Sequence, residues 1–179
     1  MASILKVNTI QDATNSNTAQ TIDSNGYILT PNRPSFYAYP SADFECGTGA
    51  GTTRIFGETL HNQGGHYSTS TGRFTAPVAG LYFFHSNIAT ASETNVIVYM
   101  SAEVSATLGG VTTRFGGGWL EKDSSTNTHH KVSNTVILEM AVGDYAMFSH
   151  ESNVSLTILG TSSGSASPRY TYFMGYLIG

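Results

Sequence analysis

The chain is poor in charge for its length: 20 of its 179 residues, or 11%, are charged, and the formal net charge is -4. Soluble domains carry roughly 25% charged residues. A hydrophobic content of 40% excludes a disordered chain, and the composition lacks the many Ala, Glu and Lys residues of a helical bundle. The slightly acidic balance, without any basic run, argues against a nucleic-acid partner. The class that these exclusions leave is a β-rich domain with many Ser, Thr, Gly and Tyr residues.

Composition changes near residue 34. Residues 8–32 are rich in Asn, Thr, Ser, Asp and Gln, and such a segment cannot build a core alone. Within it, Tyr27–Thr30 follows an Asn-Gly turn signal and is predicted as a strand, and two prolines then mark a linker. We therefore predict an N-terminal arm over residues 1–33 and one domain over residues 34–179.

From Ser35 onward, apolar and polar residues alternate with period two, and Gly, Asn and Ser turns separate short segments. No stretch repeats an apolar residue with helical spacing over three turns. Ten such segments are typical of an all-β sandwich or jelly roll. The predicted strands are Ser35–Tyr39, Thr53–Phe56, Arg73–Thr75, Gly80–Ala89, Asn95–Ala106, Val111–Trp119, His130–Met140, Tyr145–His150, Asn153–Leu159 and Tyr170–Ile178.

Two of these strands, around Leu81–Phe84 and Tyr170–Ile178, are apolar in both phases. An antiparallel strand with one solvated face should alternate apolar with polar residues. Because tyrosine suits subunit interfaces, we predict that one face of these strands contacts another chain. The alternative is a central strand beneath a covering loop. The residues assigned to the subunit contact are Tyr82, Phe84, Tyr170, Tyr172 and Tyr176.

Four motifs resemble the globular head of complement component one, subcomponent q, a branch of the tumour-necrosis-factor-like jelly rolls. They are the run YSTSTGRFTAPVAGLYFF over Tyr67–Phe84, the segment Pro34–Ala38, the turn LEMAVGDY over Leu138–Tyr145, and the closing strand FMGYL over Phe173–Leu177. The resemblance implies a ten-stranded jelly roll that assembles as a homotrimer. It also implies a binding module and not an enzyme.

The N-terminal segment departs from the complement relatives, which carry a collagen stalk of Gly-x-y repeats at this place. Instead, ASILKVNTIQDATNSNT resembles the opening of bacteriophage tail-fibre and appendage proteins. The start also lacks the longer apolar stretch of a signal peptide, which fits a virion protein made in the host cytoplasm and released by lysis. The resemblance implies an anchor to other virion proteins through Ile4, Leu5, Val7 and Ile10. The alternative is a small three-chain plug formed by the same residues.

The sequence motifs for metal binding and catalysis are weak. The six histidines show no chelating spacing, although a trimer axis would gather three copies of one histidine. We expect no cofactor. Calcium is the alternative, and its oxygen donors would be Asp123, Ser124, Asp144 and Glu151. It is a minor alternative because no Asp-x-Asp-x-Asp loop occurs. No nucleophile, paired-carboxylate or phosphate-loop motif appears, so we expect no enzyme activity. Cys46 is the single cysteine and is interpreted as a small, half-buried hydrophobe, with a reactive thiol as the alternative.

Two functions follow from these observations. The first is a trimeric phage tail fibre or spike that recognises a host-surface glycan or protein receptor, with Trp119 and Asp123 as candidate residues of the receptor loops. For Trp119, the alternative is an aromatic of the core or of the trimer interface. The second function is a capsid decoration or cement trimer with a structural role. A secreted complement-like ligand is a third interpretation, and no apolar run is long enough for membrane insertion.

Overall fold

The computed structural model describes residues 6–14, 16–91, 96–124, 129–161 and 169–179. All regular elements in these ranges are β-strands. None of the described residues belongs to a helix that is long and apolar enough to cross a membrane. Contacts divide the chain into two units, which meet in sequence between Arg33 and Pro34.

The N-terminal unit is a three-stranded antiparallel sheet of β1 (Thr9–Gln11), β2 (Thr18–Ile22) and β3 (Ile28–Leu29). In this unit every described residue is at least partly exposed, so backbone hydrogen bonds hold the sheet without a core of its own. The strand predicted at Tyr27–Thr30 is present as β3. The second strand was not predicted, because its sequence TAQTI carries little apolar signal.

The larger unit consists mainly of two five-stranded sheets. Sheet I has the strand order β12-β9-β15-β4-β7, and sheet II has the order β11-β10-β13-β6 with β8 also paired to β13. A separate short pair joins β5 to β14. The strands are β4 (Ser35–Tyr39), β5 (Phe44–Glu45), β6 (Gly49–Thr53), β7 (Glu58–Gln63), β8 (Arg73–Thr75), β9 (Gly80–Ala89), β10 (Val96–Leu108), β11 (Val111–Ser124), β12 (Lys131–Met140), β13 (Tyr145–Ser152), β14 (Thr157–Ile158) and β15 (Tyr172–Leu177).

Two strand predictions need correction, and two strands of this unit, β5 and β7, were not predicted. The strand predicted at Thr53–Phe56 lies earlier, as β6, because Gly49 and Gly51 take positive φ angles in a glycine stretch that still pairs with β13. The polar strand β7 was not predicted, since its sequence ETLHNQ lacks clear alternation. The strand predicted at Asn153–Leu159 shrinks to the two residues of β14, because β13 continues to Ser152.

The core between the two sheets is aromatic. The Phe36 ring stacks on Tyr67 and on Phe74, with centroid distances of 4.9 Å in both cases, and meets Phe173 edge-on at 5.0 Å. Tyr67 and Phe74 form an isolated bridge across the STSTGR turn, where Gly72 has a φ of 71° that side chains rarely adopt. The sequence run that carries the family resemblance therefore builds the core.

The single cysteine lies beside the pair β5–β14. Cys46 is fully buried, its backbone N–H donates to the Leu156 carbonyl at 2.9 Å, and the Leu156 N–H points back to its sulfur at 3.4 Å. Arg54 donates to the carbonyls of Glu45 and Cys46, which fixes this turn from the other side. Burial raises the pKa of the Cys46 thiol. Cys46 therefore packs as a small hydrophobe, and it is fully buried where half-burial was predicted.

Candidate subunit-contact and ligand-binding faces

The outward side of sheet I is apolar and aromatic. On β9, Tyr82 and Phe84 point into the core, so their neighbours Leu81 and Phe83 face outward. The same alternation on β15 buries Phe173 and turns the residues on either side of it outward. The outward residues, here called the aromatic face, are Tyr37, Leu81, Phe83, His85, Tyr172, Met174 and Tyr176.

Stacked rings order the aromatic face. Tyr37 stacks on Tyr172 with centroids 5.0 Å apart and planes inclined by 20°. Phe83 and Tyr176 are direct cross-strand partners, and their rings stack at 5.0 Å and 27°. Aromatic pairs of this kind contribute about 0.5–1.5 kcal/mol beyond the area they bury. These stacking contacts form within a single chain.

Polar groups on this face are held by neighbours within the chain. His85 Nδ1 lies 2.8 Å from Thr135 Oγ1, and its ring centroid is 5.6 Å from that of Tyr172. Burial lowers the pKa of His85, so the neutral imidazole is favoured. Burial and the neighbouring Tyr172 raise the pKa of Tyr37 to about 12, so its hydroxyl stays protonated at neutral pH. The face therefore carries little charge.

Two residues predicted for the subunit contact lie elsewhere. Tyr82 and Phe84 are fully buried within a single chain, and the Tyr82 hydroxyl donates to the Val78 carbonyl at 2.8 Å. Their assignment to the contact is wrong, because both phases of this strand are apolar and the sequence does not reveal which one faces the core. The structure places their neighbours Leu81 and Phe83 on the outward side.

The predicted tyrosines of the last strand do face outward. Tyr172 is half-buried and Tyr176 is 40% exposed, and both belong to the aromatic face. Tyr170 precedes β15, and its ring lies beneath the Lys131 ammonium, which is 4.6 Å from the ring centroid. Tyr170 is thus partly covered within the chain by a cation–π contact.

A glycine bulge presents Trp119 on the outward side of sheet II. Ser101 of β10 pairs with Trp119, but Glu103 pairs with Gly116, so three steps along β11 match two along β10. A Cβ on Gly117, inside this bulge, would overlap the side chain of Asn134. Trp119 is 61% exposed. It lies in a strand and not in the receptor loop that was predicted.

Charged groups cluster beside Trp119 on the same side of sheet II. The Arg114 guanidinium lies 3.4 Å from the carboxylate of Glu103 and 3.3 Å from that of Glu151. Glu103 is only 4% exposed and also accepts from Ser101 Oγ at 3.3 Å. The arginine thus bridges two carboxylates, which satisfies the buried one.

A second aromatic side chain lies next to this cluster. Tyr99 is 37% exposed, and its hydroxyl donates to Glu121 Oε1 at 3.1 Å. Tyr99 pairs with Glu121 across β10 and β11, which makes Trp119 its diagonal neighbour on the same side of the sheet. The platform, as we call this surface, consists of Tyr99, Arg114, Trp119, Glu121 and Glu151.

The remaining predicted residues are placed as follows. Asp123 lies in β11 opposite Ile97, again in a strand and not in a loop. In the N-terminal unit, Ile4 and Leu5 fall outside the described residues. Val7 is half-buried, and Ile10 is 48% exposed on β1.

Two of the residues considered for calcium, Asp144 and Glu151, have other partners, and the side chains of Asp123 and Ser124 lie outside those that the structure describes. Both carboxylate oxygens of Asp144 accept backbone N–H groups, from Gly109 and from Ala141, each at 2.8 Å. Glu151 faces Arg114. Over the described ranges, no group of three or more His, Cys, Asp or Glu side chains is placed to share a metal ion.

Comparison with known proteins agrees with this architecture. The sequence profile described as the C1q domain matches residues 35–178. The chain belongs to the C1q domain family. A curated relative, Protein HP-25 homolog 2 of Bos taurus, is 25% identical over 125 residues, which cover 69% of this chain and 49% of that protein. The chain thus spans about half the length of the curated relative it matches.

Solved structures show the same fold at low sequence identity. The globular domain of zebrafish complement 1qA aligns with a TM-score of 0.55 and 20% identity, over 82% of this chain and 98% of that one. The Eiger TNF of S. frugiperda aligns with a TM-score of 0.57 and 9% identity, over 83% and 94% of the two chains. Murine APRIL aligns at 0.55 and 12% identity, over 82% and 99%. The prediction of an all-β C1q- and TNF-like jelly roll is confirmed, and homotrimers are typical of this family.

Proposed function

We propose that the chain is a homotrimer joined through the aromatic face. The observation that carries this proposal is the exposure of large apolar side chains at the centre of sheet I, with Leu81 at 45% and Tyr176 at 40%. A contiguous apolar patch of this kind marks a protein–protein contact. Aromatic residues are enriched at the cores of such interfaces, and charged residues are depleted there. The typical homotrimer of the C1q domain family supports the same arrangement.

The trimer acts, in this proposal, as a bacteriophage appendage of the tail-fibre or spike type that recognises the host surface. Its support is the resemblance of the N-terminal sequence to phage appendage proteins. C1q and TNF-like domains are generally binding modules and not enzymes, which suits recognition. The arm would dock on other virion proteins, since Ile10, Ile22 and Ile28 are exposed on a sheet that lacks a core. The chain would then reside in the virion after assembly in the host cytoplasm.

A capsid decoration or cement trimer is the second candidate function. The exposed isoleucines of the N-terminal unit favour docking to a virion protein. They are compatible with a binding site on the capsid and with one on the tail. Gold-labelled antibodies against residues 34–179 distinguish the two candidates on whole particles. Label at the tail tip supports the appendage, and label distributed over the head supports the decoration trimer.

Adsorption competition tests the recognition role. We expect the purified chain to slow the adsorption of particles that carry it to host cells in a saturable way. A chain with unfolded heads, made by heating, is the control and should not compete. Unchanged adsorption at saturating concentrations of the folded chain would overturn the recognition role and leave the structural one.

A further inference from the structure

We propose that the platform of Tyr99, Arg114, Trp119, Glu121 and Glu151 binds a neutral saccharide. This proposal rests on the proposed recognition role and names the ligand class for it. The platform lies on sheet II, and the aromatic face lies on sheet I. The two surfaces belong to opposite sheets of the sandwich, so the platform is separate from the aromatic face.

The geometry of the platform suits a flat ligand. Trp119 is 61% exposed and stands directly opposite Ser101, a fully buried small residue. On the other side of Ser101, its direct partner is Glu151 of β13. Trp119 and Glu151 therefore flank Ser101, which their side chains and those of their neighbours cover, and Tyr99 lies diagonally from Trp119. Diagonal neighbours of this kind have Cα atoms about 7–8 Å apart, which lets one short oligosaccharide reach both rings.

Aromatic rings and fixed hydrogen-bonding groups are what a sugar requires. The C–H face of a pyranose packs on an aromatic ring, and Trp and Tyr offer such area at a small entropic cost. The hydroxyl groups of the sugar donate to carboxylates and accept from a guanidinium. Glu121 is held by the Tyr99 hydroxyl, and Glu151 is held by Arg114. Because these groups are already oriented, binding loses less conformational entropy.

The charge of the platform selects against acidic polymers. Two of its residues, Glu121 and Glu151, carry carboxylates, and the buried Glu103 carboxylate lies beneath them; the guanidinium of Arg114 bridges Glu103 and Glu151. A uronic-acid or sialic-acid polysaccharide would meet net repulsion here. A neutral saccharide meets hydrogen-bond acceptors without this cost.

The platform carries its own reporter, because Trp119 is the only tryptophan of the chain. We would titrate the purified full-length chain with a panel of neutral hexasaccharides built from glucose, galactose, mannose or N-acetylglucosamine, up to about 10 mM, and follow the tryptophan emission. A hexamer of galacturonic acid serves as the acidic comparison. We expect a saturable shift of the emission with at least one neutral hexamer and none with the acidic one.

Variants separate the platform from other sites, with affinities measured by calorimetry. Trp119→Ala and Tyr99→Ala should each weaken binding by about tenfold or more. Trp119→Phe, which keeps a ring, should restore part of the affinity. Tyr27→Ala is the matched control, since Tyr27 is 67% exposed on the separate N-terminal unit, and its affinity should not change.

Three results would overturn the proposal: no saturable binding of any neutral hexamer, equal or tighter binding of the acidic hexamer, or binding that Trp119→Ala leaves intact. If no sugar binds while the chain still competes for adsorption, the saccharide proposal fails and the recognition role stands, with a protein receptor as the ligand. If sugar binds but the chain does not compete, the recognition role fails instead.

Discussion

Truncating Tyr176 to alanine tests the aromatic face most directly. The side chain stacks on Phe83 and remains 40% exposed in the single chain. A tyrosine buries about 200 Å² in all, so a trimer that covers the remaining part removes about 80 Å² from water. At about 25 cal/mol per Å², this contributes about 2 kcal/mol per chain and about 6 kcal/mol per trimer. The trimer dissociation constant should rise by about four orders of magnitude.

Tyr99→Ala is the matched control, because it removes the same atoms from a residue that is 37% exposed on the opposite sheet. Sedimentation velocity over a range of concentrations gives the assembly state of both variants. The parent chain and Tyr99→Ala should sediment at three times the chain mass of 19.1 kDa. Tyr176→Ala should shift to the mass of a single chain at micromolar concentration. A Tyr176→Ala variant that dissociates no more than Tyr99→Ala would refute the assignment of the interface to sheet I.

Three further predictions concern stability and assembly. Gly175→Ala should lower the free energy of unfolding by about 1–3 kcal/mol, and with it the melting temperature, because the new methyl group would lie 2.6 Å from Phe84 Cδ1. An unchanged melting temperature would contradict this close packing. A chain that begins at Pro34 should stay a cooperatively folding trimer but fail to enter particles; dissociation into monomers by sedimentation would favour the three-chain plug. Burial lowers the pKa of His150, so the unfolded chain binds more protons than the folded one, and the free energy of unfolding should fall as pH drops below about 6.5. His150→Gln should flatten that dependence in urea titrations, and an unchanged slope would contradict it.

The sequence predicted the fold because its signals were local and redundant. The run from Tyr67 to Phe84 forms the turn and aromatic core that the motif implies, and Phe173 and Tyr176 lie on the sides that strand alternation assigns. On β9 the same reasoning chose the wrong side. Period-two patterning identifies the buried face of a strand because apolar and polar residues alternate. A strand that is apolar in both phases has no such alternation, so its buried face cannot be identified in this way.

The platform on sheet II was largely outside the reach of sequence reasoning. Trp119 ends the strand predicted at Val111–Trp119, but the sequence did not show that the three glycines before it form a bulge or that the strand continues to Ser124. Tyr99, Glu121 and Glu151 are far apart in sequence and meet only through the pairing of β10 with both β11 and β13. Long-range strand register is a tertiary property, and a single sequence carries no direct signal for it. The glycine triplet was the one available sign of unusual geometry.

The buried thiol of Cys46 is a natural probe of local opening in each chain. Cys46 is shielded from solvent and bonded to Leu156 through the backbone, so a thiol reagent reaches its sulfur only when that segment detaches. When the segment recloses faster than the reagent reacts, the rate of modification by an aromatic disulfide reagent, divided by the rate for an exposed thiol, gives the free energy of that opening under native conditions. Because the chain has one cysteine, each chain that opens and reacts releases one aromatic thiolate, and the absorbance of this product counts those chains without any introduced label.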